Sequence, residues 1–148
     1  MNGTYGPHNG TLRLRTTRAG AAAKAGHDLL IEVTQWEATV TDDAVTLTAD
    51  PSSLKVLEGT GGIKALDADD KRNIEQTIRD EILEDKPIRY RDGQLELNGQ
   101  THPLAVTVGE RGGTATITQT AWGIKPYSAL FGTLKVADDV TVEGALLA

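Results

Sequence analysis

Apolar and polar residues alternate along most of this chain with a period of two, the pattern of β-strands that bury one face. The alternation begins in residues 11–16, where leucines alternate with arginines, and continues in residues 29–34 with the apolar residues at odd positions. In residues 36–40 the apolar residues move to even positions. Because a slip of one residue turns side chains to the opposite face unless a bulge absorbs it, we expect a bulge or sharp bend near Thr34–Gln35.

Short turn signals separate the later strands. Asp92-Gly93, Asn98-Gly99 and Gly112-Gly113 each interrupt the alternation, and two-residue turns of this composition join neighbouring antiparallel strands. The chain then carries about eight strands, each with one apolar face. This pattern predicts a mainly β, antiparallel fold, and it fits either a barrel or a sandwich.

One segment in the middle of the chain changes to a helical period. Ile74, Ile78 and Ile82 follow one another at intervals of four residues, which places them in a single stripe on one face of a helix. Asp67 has the side chain of a good N-cap. We therefore predict one helix near residues 67–84, inserted between strands and packing its isoleucine stripe against them.

Composition narrows the functions that this fold can serve. The 148 residues fit one domain, residues 1–148, with a formal charge of −6 and no cysteine. An acidic chain is a poor partner for nucleic acid or for an anionic membrane surface, since both attract clustered Lys and Arg. Without cysteine, disulfide frameworks and thiolate metal sites are excluded.

The start of the chain bears on its location. The first ten residues contain no apolar run and no early positive charge, so we expect no signal peptide. No apolar run approaches the roughly 18 residues that a membrane-spanning helix needs. We therefore expect a cytoplasmic protein without a membrane span, and we leave a homodimer open as its assembly.

Aromatic residues concentrate in an irregular bend, residues 122–131, where turn-forming residues would be more usual. Two interpretations stay open for these side chains and for Trp36: they belong to the core, as most large aromatics do, or they line a cavity or its mouth. The candidate ligand-binding residues on the second interpretation are Trp36, Trp122, Ile124, Lys125, Tyr127 and Phe131.

A second unusual segment contains His27 and Asp28, after a run of small residues. It predicts a polar cluster at the mouth of a barrel, with His27 as a further candidate ligand-binding residue. The alternative is that one of the two side chains hydrogen-bonds the loop backbone and holds the turn, as Asx residues do.

Catalytic and metal chemistry find little support in the sequence. The three histidines, at positions 8, 27 and 102, are not paired at ligand spacing. The serines lack a Gly-x-Ser-x-Gly elbow, and no nucleophile and base stand at a telling spacing. We therefore expect no catalytic residue, no metal, no cofactor and no enzyme activity.

Six segments, taken in order, resemble the YceI-like family. A first strand and an entry to the second strand that contains histidine are followed by a segment with small residues and serine. The inserted helix comes next, then a late hairpin, and a closing motif of aromatic residue, Gly and Ile. In this chain they are Leu12–Arg18, Gly26–Leu29, Ala49–Leu54, Leu66–Leu83, Leu95–Leu104 and Trp122–Ile124.

The resemblance implies a single lipocalin-like barrel of eight antiparallel strands with one inserted helix. It also implies binding of a long apolar ligand inside the barrel, such as a polyisoprenoid, the tail of an isoprenoid quinone or a fatty-acid-like lipid. Many members are periplasmic or secreted, whereas this chain shows no leader. Its helix also carries polar residues at 70–77, where many relatives have aromatic ones.

Three functions therefore compete. The first is binding, sequestration or transport of a hydrophobic small molecule inside the barrel. The second is a barrel filled by its own side chains, with a structural or protein-interaction role and no ligand. The third, an enzyme with polar residues at the mouth, is disfavoured by the motifs. A continuous apolar cavity separates the first from the second.

Overall fold

The computed structural model describes residues 2–20, 26–42, 44–62, 65–129 and 134–147, and this part of the chain is mainly β-structure. The strands are β1 (Gly3–Tyr5), β2 (Gly10–Thr16), β3 (Arg18–Ala19), β4 (Asp28–Val33), β5 (Trp36–Thr41), β6 (Ala44–Ala49), β7 (Leu54–Thr60), β8 (Ile88–Arg91), β9 (Gln94–Leu97), β10 (Gln100–Pro103), β11 (Thr107–Gly109), β12 (Gly112–Thr118), β13 (Ser128–Ala129), β14 (Leu134–Val136) and β15 (Asp139–Leu146).

The strands pair in two large sheets and one small one. The first six-stranded sheet has the order β1-β5-β6-β8-β9-β10, the second has the order β11-β12-β15-β2-β4-β7, and a three-stranded sheet has the order β13-β14-β3. The pairs are antiparallel. The predicted mainly β, antiparallel fold with an inserted helix is thus confirmed. Strand pairing among the described residues stays within these sheets, and no single closed ring of eight strands is formed.

The chain passes from one large sheet to the other at a sharp bend between β4 and β5. Its two residues, Thr34 and Gln35, are held by the neighbouring connection: the Thr34 amide donates to the Ser53 carbonyl at 2.9 Å, and the Gln35 amide donates to Ser53 Oγ at 3.1 Å. The predicted bend near Thr34–Gln35 is confirmed. This bend explains the slip in hydrophobic phase, because the segments before and after it, β4 and β5, belong to different sheets.

The helix also lies where the isoleucine stripe predicts it. Helix α1 (Ala68–Thr77) begins at Asp67, whose side chain accepts from the Asp70 amide while the Asp70 side chain accepts from the Asp67 amide. A π-helical segment, Ile78–Leu83, continues it and ends at Glu84, which has a left-handed backbone with φ of 50°. The wider π-helical turn was not predicted from the sequence, which carries no signal for it.

Helix α1 covers the open edge of the second sheet. Strand β7 is the last strand of that sheet, so it presents backbone groups without a neighbouring strand. Glu75 accepts from the Val56 amide at 2.8 Å, and Lys71 donates to the Leu57 carbonyl at 3.1 Å. Side chains of the helix thus replace part of the missing strand pairing, one of the ways in which proteins protect sheet edges.

A cluster of buried apolar residues lies beside the π-helical segment. Trp122 is 3% exposed, and its indole N–H donates to the Leu95 carbonyl at 2.9 Å, which satisfies the polar atom of a buried ring. The cluster consists of Leu83, Leu95, Leu97, Trp122 and Ile124. In the described part of the chain, no helix is long and apolar enough to cross a membrane.

Candidate ligand cavity

A cavity of about 610 Å³, partly open to solvent, is lined by both large sheets and by the helix. Its walls follow the period of two: on β2 and its continuation the lining residues are Leu12, Leu14, Thr16 and Arg18. On β4 they are the odd-numbered apolar residues of 29–33. The same alternation that predicts the strands therefore selects the side chains that surround the cavity.

The helix supplies one wall. Ile74, Ile78 and Ile82 are half-buried and line the cavity, as the predicted packing of the stripe requires. Asn73 and Thr77, on the same side of the helix, also line it. The helix thus contributes an apolar stripe with two polar side chains beside it.

Two other polar side chains of the wall donate hydrogen bonds to the backbone. The Tyr90 hydroxyl donates to the Leu104 carbonyl at 2.9 Å, and Gln119 Nε2 donates to the Ala137 carbonyl at 3.1 Å. Since these polar atoms are already engaged, they cost little when an apolar ligand removes water from the cavity.

One end of the cavity is polar and contains Arg18 and His27. Arg18 is held in place by the turn before β4: its backbone amide donates to Asp28 Oδ1 at 2.9 Å, and its Nη1 donates to the Gly26 carbonyl at 3.1 Å. The Arg18 Nε also lies 3.6 Å from Asp28 Oδ1. Asp28 therefore bonds the backbone of β3 at Arg18, whereas the small-residue loop at 21–25 that the alternative interpretation concerned lies outside the described residues.

His27 stands at the boundary between this cavity and a smaller outer pocket. The outer pocket has a volume of about 370 Å³ and shares His27, Asn73 and Ile74 with the inner cavity. A glycine loop packs against the imidazole: a Cβ atom at Gly62 would lie 2.5 Å from His27 Nε2. The loop can approach the ring this closely only because that position has no side chain.

Residues 122–129, the described part of the predicted bend, are linked to the His27 segment through β14 and Arg18. On one side Arg18 is bonded to Asp28; on the other it pairs with Val136 of β14, whose amide donates to the Tyr127 carbonyl at 2.9 Å. Tyr127 itself is 53% exposed and lines the cavity together with His27.

The candidate ligand-binding residues thus divide into groups. His27, Trp36, Ile124 and Tyr127 line the cavity. Trp122 lies in the packed core and is not among the lining residues. Lys125 is exposed and does not line the cavity either, so it is not placed to donate to a ligand inside it. Phe131 lies outside the described residues.

Sequence reasoning missed several polar lining residues, among them Arg18, Gln119 and Asn73. Arg18 had a usable signal, since it continues the inward series of even positions that begins at Leu12. Gln119 similarly continues the inward series of β12 after Ile117. Asn73 gave no such signal, because a polar residue one position before the isoleucine stripe is usual for a solvated helix face.

The described side chains offer no group of three or more His, Cys, Asp or Glu that could hold a metal ion. No protein-family model matches the chain, and no curated protein matches its sequence. The likeness to the YceI-like family therefore rests on the sequence segments alone.

Proposed function

We propose that this protein binds a long apolar molecule, such as a polyisoprenoid or another lipid chain, and sequesters or carries it. The cavity of about 610 Å³ is the observation that carries the proposal, because its size falls within the roughly 300–1,000 Å³ of small-molecule sites. Its walls are mostly Leu, Ile, Val and Ala, and Arg18 and His27 are the basic side chains among the lining residues. This arrangement suits an amphiphile with its tail inside and its polar group at Arg18 and His27.

The energetics favour a ligand with a long chain. Each methylene moved out of water contributes about 0.8 kcal/mol, while lost translation and ordering of the ligand cost several kcal/mol or more. Inward residues from Leu12 to Arg18 span six steps along the chain, roughly 20 Å at the rise of an extended strand. A ligand whose apolar chain fills this length gains enough binding free energy to offset that cost with few polar contacts.

We further propose that the two large sheets act as halves of one lipocalin-like barrel, as the resemblance to the YceI-like family implies. In support, β1 and β2, β4 and β5, β6 and β7, and β10 and β11 are consecutive in the chain, with one member of each pair in each sheet. If each pair counts as one bent strand, the twelve strands of the large sheets become eight in cyclic neighbour order.

A binding role is favoured over the two alternatives by specific observations. A barrel filled by its own side chains leaves no room for a cavity of this volume. For an enzyme, the sequence offers no Gly-x-Ser-x-Gly elbow and no nucleophile at a spacing from a base that is typical of a catalytic pair.

Titration with prenyl alcohols of increasing length tests the proposal. Affinity should rise by up to about fourfold for each added methylene equivalent and level off once the chain exceeds the cavity. Straight-chain alcohols of the same lengths separate the effect of length from that of methyl branching. Affinities that stay flat across both series would contradict the proposal, and native mass spectrometry of freshly purified protein would reveal a retained ligand directly.

A further inference from the structure

Strand β15 has a glycine, Gly144, at an inward position in the middle of an apolar series. The inward residues of β15 are Val140, Val142, Gly144 and Leu146, and all four line the cavity. In the ladder with β12, Gly144 lies directly opposite Gly113, and in the ladder with β2 it lies opposite Leu12. The wall of the second sheet therefore lacks side chains where these two glycines meet.

Backbone geometry does not account for a glycine at this position. Glycine weakens a strand interior and usually marks a bulge, a left-handed conformation, or the close approach of another backbone or a ligand. Both ladders run through Gly144 without a shift of register, and its φ is not in the left-handed region. A Cβ atom built on it would have its nearest neighbour, the Gly113 carbonyl oxygen, 4.0 Å away.

Neighbouring glycines provide the contrast. A Cβ atom at Gly112 would lie 2.0 Å from the Gly144 carbonyl oxygen, and one at Gly113 would lie 3.1 Å from the Thr107 carbonyl oxygen. At those two positions a side chain would crowd the backbone of a neighbouring strand, so glycine is favoured there. At Gly144 a side chain would instead meet open space, so neither a left-handed backbone nor a close contact with other backbone requires glycine there.

We propose that Gly144 sets the length of the apolar chain that the cavity accepts, an inference that rests on the proposed function. The polar residues Arg18 and His27 lie near the far end of the inward series from Gly144, since β2 runs from its pairing with β15 at Leu12 toward Arg18. With the head of an amphiphile at Arg18 and His27, the end of its tail reaches the space that Gly144 leaves open. A side chain at this position occupies that space.

The test is a substitution series, Gly144→Ala, Gly144→Val and Gly144→Leu, titrated with prenyl alcohols and straight-chain alcohols of increasing length. Short chains should bind within about twofold of the original protein, whereas the longest chains should lose at least about tenfold in Gly144→Leu, because its side chain displaces several methylenes. The length at which affinity levels off should become shorter in the order Ala, Val, Leu.

Thr141→Leu is the matched control. It adds a leucine to the same strand at an exposed position outside the cavity lining, so its length profile should be unchanged. Thermal melting establishes that each variant is folded, and the small Gly144→Ala change keeps the test informative if the larger side chains disturb the sheet.

Two results would overturn the inference. In a folded Gly144→Leu variant, long and short chains could bind as they do to the original protein, or all lengths could weaken equally. Either result refutes the role of Gly144 and leaves the binding function intact. If the original protein shows no dependence on chain length, the proposed function itself fails, and this inference fails with it.

Discussion

At the scale of single residues, the proposed binding function gives His27 the most direct role. It lines both the inner cavity and the outer pocket, so it lies where the polar group of a bound amphiphile would be held. An imidazole can donate or accept a hydrogen bond, depending on its tautomer. We therefore assign it to recognition of the ligand's polar group and assign the affinity to the apolar walls.

Replacement of His27 tests this division of roles. His27→Ala should weaken the binding of a prenyl alcohol by about fivefold, the effect of one hydrogen bond, and leave a hydrocarbon of the same length almost unchanged. Calorimetric titration of both ligands measures the difference. His8→Ala is the control, since His8 is exposed and does not line the cavity. Equal weakening of both ligands would mean that His27 acts by holding the loop in shape.

Asp50 is a second residue whose surroundings have a measurable consequence. It lies in the connection between β6 and β7, where its Oδ1 accepts from the Ser52 hydroxyl at 2.7 Å and from the Ser52 amide at 2.9 Å. The Ser52 hydroxyl, followed by the Ser52 amide, lowers the pKa of Asp50 below its ordinary value. A carboxyl with a depressed pKa stabilises the fold above its unfolded pKa, and this contribution is lost as pH falls through the folded pKa.

Ser52→Ala should therefore lower the free energy of unfolding at neutral pH by a small amount, because the carboxylate is exposed and well solvated. The difference from the original protein should disappear at pH values below the folded pKa of Asp50. Urea unfolding across this pH range measures it. In an Asp50→Asn background the same serine substitution should show no such pH dependence, and a dependence that persists there would assign the effect to another group.

At the scale of elements, helix α1 both forms a cavity wall and completes a sheet edge. None of the residues in Ala68–Thr77 is fully buried, so its position depends strongly on its polar contacts with β7. Helix α1 makes two side-chain hydrogen bonds to that strand. The shorter is the one in which the Glu75 carboxylate accepts from the Val56 amide. Hydrogen bonds to a charged group are stronger than neutral ones.

Glu75→Ala should consequently lower the free energy of unfolding by about 1–3 kcal/mol, because it leaves the Val56 amide without its acceptor. Gln76→Ala, at the next and exposed position of the helix, should change it by no more than about 0.5 kcal/mol. Denaturant unfolding at neutral pH compares the two variants. Equal effects would show that the helix is held by its isoleucine stripe alone.

The sequence predicted the elements well where a periodic pattern or a cap defined them. The helix start at Asp67 and the bend at Thr34–Gln35 were both recognisable, because capping and hydrophobic phase are local properties of the chain. The end of the helix was not recognisable in detail. Its π-helical turn and the left-handed Glu84 and Asp85 depend on how the last turn packs against β8 and β9.

At the scale of the whole molecule, the two tryptophans occupy different environments. Trp122 is packed against Leu95 in the core, whereas Trp36 lines the cavity. Both are aromatic residues at inward positions, and the sequence left the choice between core and cavity open for both. The choice depends on the elements that lie opposite each ring, which the local sequence does not specify.

The predicted turn at Gly112-Gly113 was wrong, because the chain turns at Glu110 and Arg111 and the two glycines belong to β12. The sequence by itself otherwise determined the inward apolar series of most strands, the turns at Asp92-Gly93 and Asn98-Gly99, and the start of the helix. These properties follow from periods of two and 3.6 residues and from turn and cap chemistry, all of which act between near neighbours in the chain. Only the tertiary structure decided that inward side chains stand apart around a cavity, that Arg18 joins His27 at its mouth, and that Gly144 faces open space. Packing is a relation between elements distant in the sequence, and a strand's own residues specify its face without specifying what lies opposite.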